Sequence, residues 1–207
     1  IPEAEEAARL YGIPHFGLED VSAITDFLAE RFTRPHVTVV IPAGGESRRM
    51  GQSKALVQFN GRPLICRLIE RLWPAADELV ITTNEGDKLA FLHDMYPNLD
   101  IKLVPDAYDF RGALPGLATA LQAASKPIVA VVACDMVFAS PSLVVAEAIE
   151  MTEMECDIVV PVNKHGFEPF HSAYRKDACL AAVLRAMEAS ETRVQSVFAD
   201  PQIKVVE

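Results

Sequence analysis

From Val37 onward the chain alternates two apolar patterns. Short β-branched runs, apolar at nearly every position, give way to stretches in which apolar residues return every three or four positions. The first pattern fits a strand buried on both faces, the second a helix with one buried stripe. Val37-Thr38-Val39-Val40-Ile41 predicts the first strand, and Leu64 to Leu72 a helix behind it. Leu79 to Thr83 and Ile101 to Val104 predict two more strands, the latter stopped by Pro105. Leu117 to Ala124 is helical, and Pro127 to Ala133, the most apolar run, is expected at the centre of the sheet. Pro141 opens a helix that reaches Glu150. Asp157 to Pro161 and Phe170 to Tyr174 predict further strands, and Asp177 to Ala189 a last helix. This alternation implies an α/β fold, a mostly parallel central sheet with helices on both faces. Ligands in such sheets bind beyond the carboxyl ends of the strands. The loops after Ile41, Thr83, Val104 and Ala133 are therefore the first places to look for chemistry.

Residues 1–35 follow a different rhythm and read as an N-terminal appendage to a main domain at 36–207. Glu3 to Leu10 is a short helical piece, and Gly12 to Gly17 is extended. Asp20 caps a helix running to Phe32, with Val21, Ile24, Phe27, Leu28 and Phe32 on one stripe. Arg34-Pro35 ends it. One extended piece and one helix are too little to fold alone. The absence of an initiator Met before Ile1 points to processing or to a longer parent chain.

Composition narrows the function classes. The 207 residues fit one α/β domain with an appendage, and 50% hydrophobic residues supply a sizeable core. A net charge of −10 argues against a general nucleic-acid binder while leaving room for a local basic pocket. Cys66, Cys134, Cys156 and Cys179 form no C-x-x-C pair, which fits reduced, mostly buried thiols in a cytoplasmic protein. No apolar stretch is long enough to span a bilayer, and the acidic start is unlike a signal peptide.

The chemistry concentrates in the strand-end loops. Ala43-Gly44-Gly45-Glu46-Ser47-Arg48-Arg49-Met50-Gly51-Gln52-Ser53-Lys54 follows the first strand directly. Glycines there let backbone N–H groups approach phosphate oxygens. Arg49 can grip a phosphate bidentately, and Lys54 acts as a mobile point charge. The string is neither a Walker loop nor G-x-G-x-x-G. Asn84, after the second strand, offers a donor and an acceptor suited to a base or ribose edge, or is a turn-forming Asn. Asp106, after the third, accepts from ribose hydroxyls or a base N–H, or caps a turn. Gly112 and Gly116 bound a segment where backbone can pass close to a nucleotide, or simply start a helix. Asp135 ends the most apolar strand, well placed to hold Mg²⁺, a hard cation that wants oxygen; the alternative is an N-cap or a solvated carboxylate. His171 reads as an ordinary, partly buried histidine.

The loop after the first strand resembles the L-A-G-G-x-x-x-R-M-G-x-x-K signature of the molybdenum cofactor guanylyltransferases, a MobA-like group of nucleotidyltransferases. Asn84, Cys134-Asp135-Met136 and Glu168-Pro169-Phe170-His171-Ser172-Ala173-Tyr174-Arg175 match later segments of that group, and Arg111-Gly112-Ala113-Leu114-Pro115-Gly116-Leu117 resembles its G-P-L-x-G segment. Ser53 stands where many members have Asp, and Val137 where the group has Pro. The resemblance covers Val37 to Ala199 and implies a three-layer Rossmann-like nucleotidyltransferase fold. It implies transfer of GMP from GTP to molybdopterin with release of pyrophosphate, in molybdenum cofactor biosynthesis. Arg49, Lys54 and Asp135 become the catalytic set, with Asp135 on Mg²⁺. Ala43, Gly44, Gly45, Lys54, Asn84, Asp106, Gly112 and Gly116 become the nucleotide-binding set. The Glu168–Arg175 segment would face the pterin.

The group's closing F-x-N-x-N-T-P-x-D segment has no counterpart before Glu207. Either it is cut off or part of the pocket is missing. Tyr11 to Phe16 with Glu19 to Leu28 is similar to the last strand and helix of MobB-like GTP-binding adaptors, which implies a fusion. A MobB-like domain and molybdenum-insertion or molybdoenzyme-maturation proteins are the partners this suggests. Two other readings stand beside it: a cytidylyl- or sugar-1-phosphate nucleotidyltransferase, and a non-catalytic nucleotide-binding module.

Overall fold

A computed structural model describes residues 20, 34–44, 53–110 and 112–207. The chain divides between Arg34 and Pro35, and the unit from Pro35 to Glu207 is the one described below. The helices and extended piece expected within the first 35 residues lie outside the described residues, apart from Asp20 and Arg34.

β1 (Val37–Pro42) is buried at its first five positions, as its unbroken apolar run requires. It pairs in parallel with β4 (Glu78–Thr82) on one side and β6 (Ile128–Val132) on the other. β5 (Ile101–Val104) continues the sheet in parallel beyond β4. β6 then pairs antiparallel with β10 (His171–Arg175), which pairs antiparallel with β7 (Ile158–Val159). β11 (Val205–Val206) closes that edge, parallel to β7. The order is β11-β7-β10-β6-β1-β4-β5, so the most apolar strand lies fourth of seven, at the centre as expected. β10 alone runs against the rest, and the sheet is mostly parallel.

The two-residue side-chain period of the strands divides the core in two. Val39 and Ile41 face one layer, packed with α1 (Leu64–Leu72) and α5 (Pro141–Glu153). Val40, Val80, Val129 and Val131 face the other, packed with α4 (Ala113–Ala123) and α6 (Lys176–Glu188). The result is a three-layer Rossmann-like α/β fold. α2 (Gly86–Leu89), α3 (Phe91–Met95) and α7 (Gln195–Phe198) are short additions. Among the described residues no helix is long and apolar enough to cross a membrane.

α5 runs on to Glu153, three residues past the expected Glu150, and two other boundaries differ from expectation for local reasons. α4 begins at Ala113 rather than Leu117 because Pro115 falls in the first turn, where its missing N–H costs nothing. The run from Asp157 to Pro161 is only partly strand, because beyond Val159 the chain turns into a hairpin of β8 (Val162–Asn163) and β9 (Gly166–Phe167). A second hairpin, β2 (Gln58–Phe59) with β3 (Arg62–Pro63), was not expected. Its turn is Asn60-Gly61, both at positive φ, which is the residue pair such a turn favours.

The amino end of the sheet is closed by a buried carboxylate. Glu78, 6% exposed, accepts from Thr38 Oγ1 at 2.5 Å, from the Ser125 N–H at 2.6 Å and from Lys102. It ties β1, β4, β5 and the approach to β6 together. Burial alone would push this carboxyl up; the donors outweigh it and hold it at about 2.

Candidate active site

The carboxyl ends of β1, β4, β5 and β6 form one edge of the sheet, and hydrogen bonds extend the pairing past the strands. Ala43 donates to Thr82 at 2.9 Å, Thr83 to Val104 at 2.8 Å, and Ala133 to Phe170 at 2.8 Å. Pro42, Thr82 and Val104 are register partners across the first three strands. Carrying the registers of β1–β4 and β4–β5 two residues onward brings Gly44, Asn84 and Asp106 level, and Asp135 stands in the turn just beyond β6 at the same end of the sheet. Three of the residues singled out in the sequence therefore fall in one row across the parallel strands, with the fourth beside it.

Within the row, side chains engage one another. Asn84 Nδ2 donates to Asp106 Oδ2 at 2.8 Å, and the Asp106 N–H donates back to Asn84 Oδ1 at 2.9 Å. This reciprocal pair fixes both side chains beside each other and leaves Asp106 Oδ1 outside that pairing. A side chain at Gly44 would stand 3.6 Å from both Asp106 oxygens, so glycine keeps the approach to that carboxylate open. Ala107 donates to Thr119 Oγ1 at 3.1 Å, and Thr119 in turn donates to the Pro115 carbonyl, which joins this loop to α4. Gly112 is the N-cap of α4; a Cβ there would meet Pro115 Cδ at 3.2 Å. A Cβ on Gly116 would meet nothing within 4 Å, so its place is open.

Lys54 opens a 3-10 turn, Lys54–Leu56, anchored by the fully buried Ala55. Its Nζ lies 3.2 Å from Asp135 Oδ2, with the two side chains 48% and 55% exposed. Asp135 stands in a turn closed by the Met136 N–H on the Ala133 carbonyl, at 3.0 Å, behind the buried Cys134. Burial first, and then the neighbouring Asp135 carboxylate, pushes the Cys134 thiol up to about 12. Lys54 also lies next to the loop after β4: the Glu85 carboxyl is held below its ordinary value by Lys88 and then by the Ser53 hydroxyl. Gly45 and Arg49 lie outside the described residues, as does Arg111.

A loop from the antiparallel neighbour borders the Asp135 turn. The His171 N–H and the Ser172 hydroxyl both donate to the Glu168 carbonyl, at 2.9 and 2.7 Å, and the Tyr174 hydroxyl donates to the Pro169 carbonyl at 2.6 Å. Beneath it, His171 Nδ1 lies 3.4 Å from Glu147 Oε1. Both residues are buried, and no hydrogen bond among the described residues reaches His171 Nδ1 or either Glu147 oxygen. Glu147 raises the His171 imidazole above its ordinary value, and burial pushes the Glu147 carboxyl up. Sequence reading missed this pair. Its signal was an acidic residue inside the apolar stripe Val144, Ala148, Met151 of α5.

Among the described residues no group of three or more His, Cys, Asp or Glu side chains could hold a metal ion. The donor set at Asp135 nevertheless suits magnesium, which is commonly held by one or two carboxylates and completed by substrate phosphates and water.

The family model described as the MobA-like NTP transferase domain matches residues 39–204, most of the chain. The chain belongs to that family. It is a nucleotidyltransferase of the MobA-like kind, and curated relatives agree. The probable molybdenum cofactor guanylyltransferase of Natranaerobius thermophilus is 37% identical over 69% of this chain and 68% of its own. The molybdenum cofactor guanylyltransferase of Desulfosudis oleivorans is 31% identical over 82% of this chain and 80% of its own. Among solved structures, the molybdopterin-guanine dinucleotide biosynthesis protein A of Archaeoglobus fulgidus superposes with a TM-score of 0.66 at 22% identity, covering 82% of this chain and 81% of that one. Another solved structure, the 4-diphosphocytidyl-2C-methyl-D-erythritol synthase of Anaerococcus prevotii, gives 0.62 at 14% identity, covering 83% and 86%. At such identities these likenesses speak for the fold. MobA-like membership thus rests on the match along the sequence, and the fold agrees with it.

Proposed function

We propose that this nucleotidyltransferase moves GMP from GTP to the phosphate of molybdopterin. An oxygen of the acceptor phosphate attacks the α-phosphorus of GTP. The bond from that phosphorus to the oxygen bridging to the β-phosphorus breaks, and pyrophosphate leaves with the electron pair. The chain's share of the work is positioning and charge, with no side-chain nucleophile needed. The Ala43-Gly44-Gly45 backbone, Arg49 and Lys54 neutralise the triphosphate. Asn84 and Asp106, already locked to each other, present one set of polar groups to the nucleoside, and Gly112 and Gly116 leave its flank clear. Asp135 would hold Mg²⁺, which when bound supplies Lewis-acid stabilisation of charge on the reacting phosphates.

The observation that supports this most is the half-exposed Lys54–Asp135 pair at the carboxyl edge. It is an opposed cation and anion that a metal–polyphosphate can exchange into. Exposed pairs contribute only about 0–1 kcal/mol to folding, so stability does not explain it. Asp135→Asn and Lys54→Ala are expected to lose turnover about 100- to 1000-fold, read as pyrophosphate release from GTP, Mg²⁺ and molybdopterin. Near-wild-type turnover in either removes that residue from the mechanism. A thermal-shift comparison of the four nucleoside triphosphates checks the base. A ligand at a hundred times its Kd stabilises by about 2.7 kcal/mol, and GTP is expected to give the largest shift. Preference for CTP or UTP refutes the guanine assignment, and GTP binding without pyrophosphate release refutes catalysis.

A further inference from the structure

The segment that carries Lys54 and the segment that carries Asp135 meet a second time, five and three residues further on. Phe59 and Phe138 stack edge to face, ring centroids 5.9 Å apart and planes at 86°. Phe138 is 76% exposed, and neither ring belongs to the apolar side chains packed in either core. Core formation therefore does not account for the contact. Each segment is otherwise well anchored. Leu64 donates to the Val57 carbonyl at 2.9 Å, and Arg67 donates to the Phe59 carbonyl at 3.0 Å with its guanidinium over the Phe59 ring. On the other side, Ala139 donates to the Met136 carbonyl at 2.8 Å and accepts from Arg71 Nε at 2.9 Å.

The two cross-links differ in what breaks them. The ion pair is half exposed, weakened by salt, and dissolved by any phosphate that recruits Lys54 or any cation that recruits Asp135. The aromatic contact is indifferent to charge. We infer that Phe59 and Phe138 form a clasp that keeps Lys54 and Asp135 at the span of one polyphosphate after substrate has parted them. Phe138 is then a positioning residue: it touches no reacting group and acts through the turn that carries Asp135. This inference rests on the roles proposed above for Lys54 and Asp135.

The test compares Phe138→Ala and Phe138→Tyr with the wild type and with Lys54→Ala and Asp135→Asn. It reads the Kd for Mg²⁺–GTP by titration calorimetry at low and high salt, the Tm, and the KM and kcat for GTP. An edge-to-face pair is worth enough for a three- to tenfold change in affinity, so Phe138→Ala is expected to weaken Mg²⁺–GTP by about that factor. The loss falls on Kd and KM rather than kcat. The factor lost is expected to be the same at low and high salt, because the contact that is removed carries no charge. Phe138→Tyr keeps a ring and restores binding. The Tm of Phe138→Ala falls by about 1–6 °C, the loss that the same contact energy predicts for a chain of this size, and that of Phe138→Tyr stays at wild type. A wild-type Kd in Phe138→Ala at both salt concentrations, with Lys54→Ala and Asp135→Asn impaired, overturns the clasp and leaves the site intact. Unimpaired Lys54→Ala and Asp135→Asn overturn the site and the clasp with it.

Discussion

Glu78 offers the sharpest test of how the sheet is held, because its partners, burial and titration all bear on one number. Its side chain is 4% exposed and receives hydrogen bonds from β1, from β5 and from the loop before β6. The folded carboxyl titrates at about 2 against an ordinary 4.5. Because the folded value is depressed, the proton binds the unfolded chain more tightly. The stability this contributes is complete above pH 4.5 and is lost as pH falls through about 2. At 1.36 kcal/mol per unit of pKa, the contribution at pH 7 is about 3 kcal/mol, of which about 1 kcal/mol survives at pH 3.

Glu78→Gln keeps the shape and removes the charge. Urea unfolding followed by circular dichroism should show the variant about 3 kcal/mol less stable at pH 7, with a Tm lowered by about 6–12 °C. At pH 3 the gap should shrink to about 1 kcal/mol. Nucleotide turnover at 20 °C should be unchanged, since Glu78 opens β4 and the candidate site begins beyond its other end, about 13 Å away along the strand. A gap that is the same at both pH values, or below about 1 kcal/mol at pH 7, refutes the reasoning, because the donors would then not be holding a charge.

Two further expectations follow from buried groups. The thiols of Cys66, Cys134, Cys156 and Cys179 are all buried, and burial pushes Cys134 and Cys179 up to about 12. The native protein should therefore show no fast thiol titration with a disulfide reagent at pH 8 and four thiols after denaturation; rapid native labelling would contradict the burial. Glu147 raises the His171 imidazole, so its contribution to stability is complete below about pH 6.5 and is lost as pH rises through the folded value. His171→Asn should flatten the decline of unfolding free energy above that pH, and an unchanged slope would detach His171 from Glu147.

What the sequence made legible, and what it hid, depended on whether the deciding force was local. β1, β4 and β6 were readable because burial on both faces demands apolar side chains at every position. Asn60-Gly61 carried a readable hairpin signal in its turn chemistry. The reversal of β10 was not readable. His171, Ser172, Ala173 and Tyr174 alternate faces in the same way whichever way the strand runs, with Ala173 in one core and Tyr174 in the other. Only the pairing with Val129 to Val132 fixes its direction. The Glu147–His171 pair and the Phe59–Phe138 stack each join residues remote in sequence, and no periodicity reports such a meeting.

The row of Gly44, Asn84 and Asp106, with Asp135 beside it, shows why the candidate site was legible where it was. β1, β4 and β5 end level, so the residues just past their ends are level too, and Asp135 stands in the turn after β6 at the same end. Those residues have left the ladder, and the side chains of Asn84, Asp106 and Asp135 belong to neither core. Placing polar residues there costs the core nothing, whereas the same Asp inside β6 would cost several kcal/mol of desolvation. The strand-end positions are thus where this sequence can collect a carboxylate, an amide and a glycine gap at a low folding cost. The same argument explains the clasp. Each segment is anchored to its own neighbours, and under the proposed reaction a polyphosphate would break the one charged link between them, so a link that substrate charge does not dissolve keeps their spacing. Phe59 and Phe138 make such a contact between the two segments that carry Lys54 and Asp135.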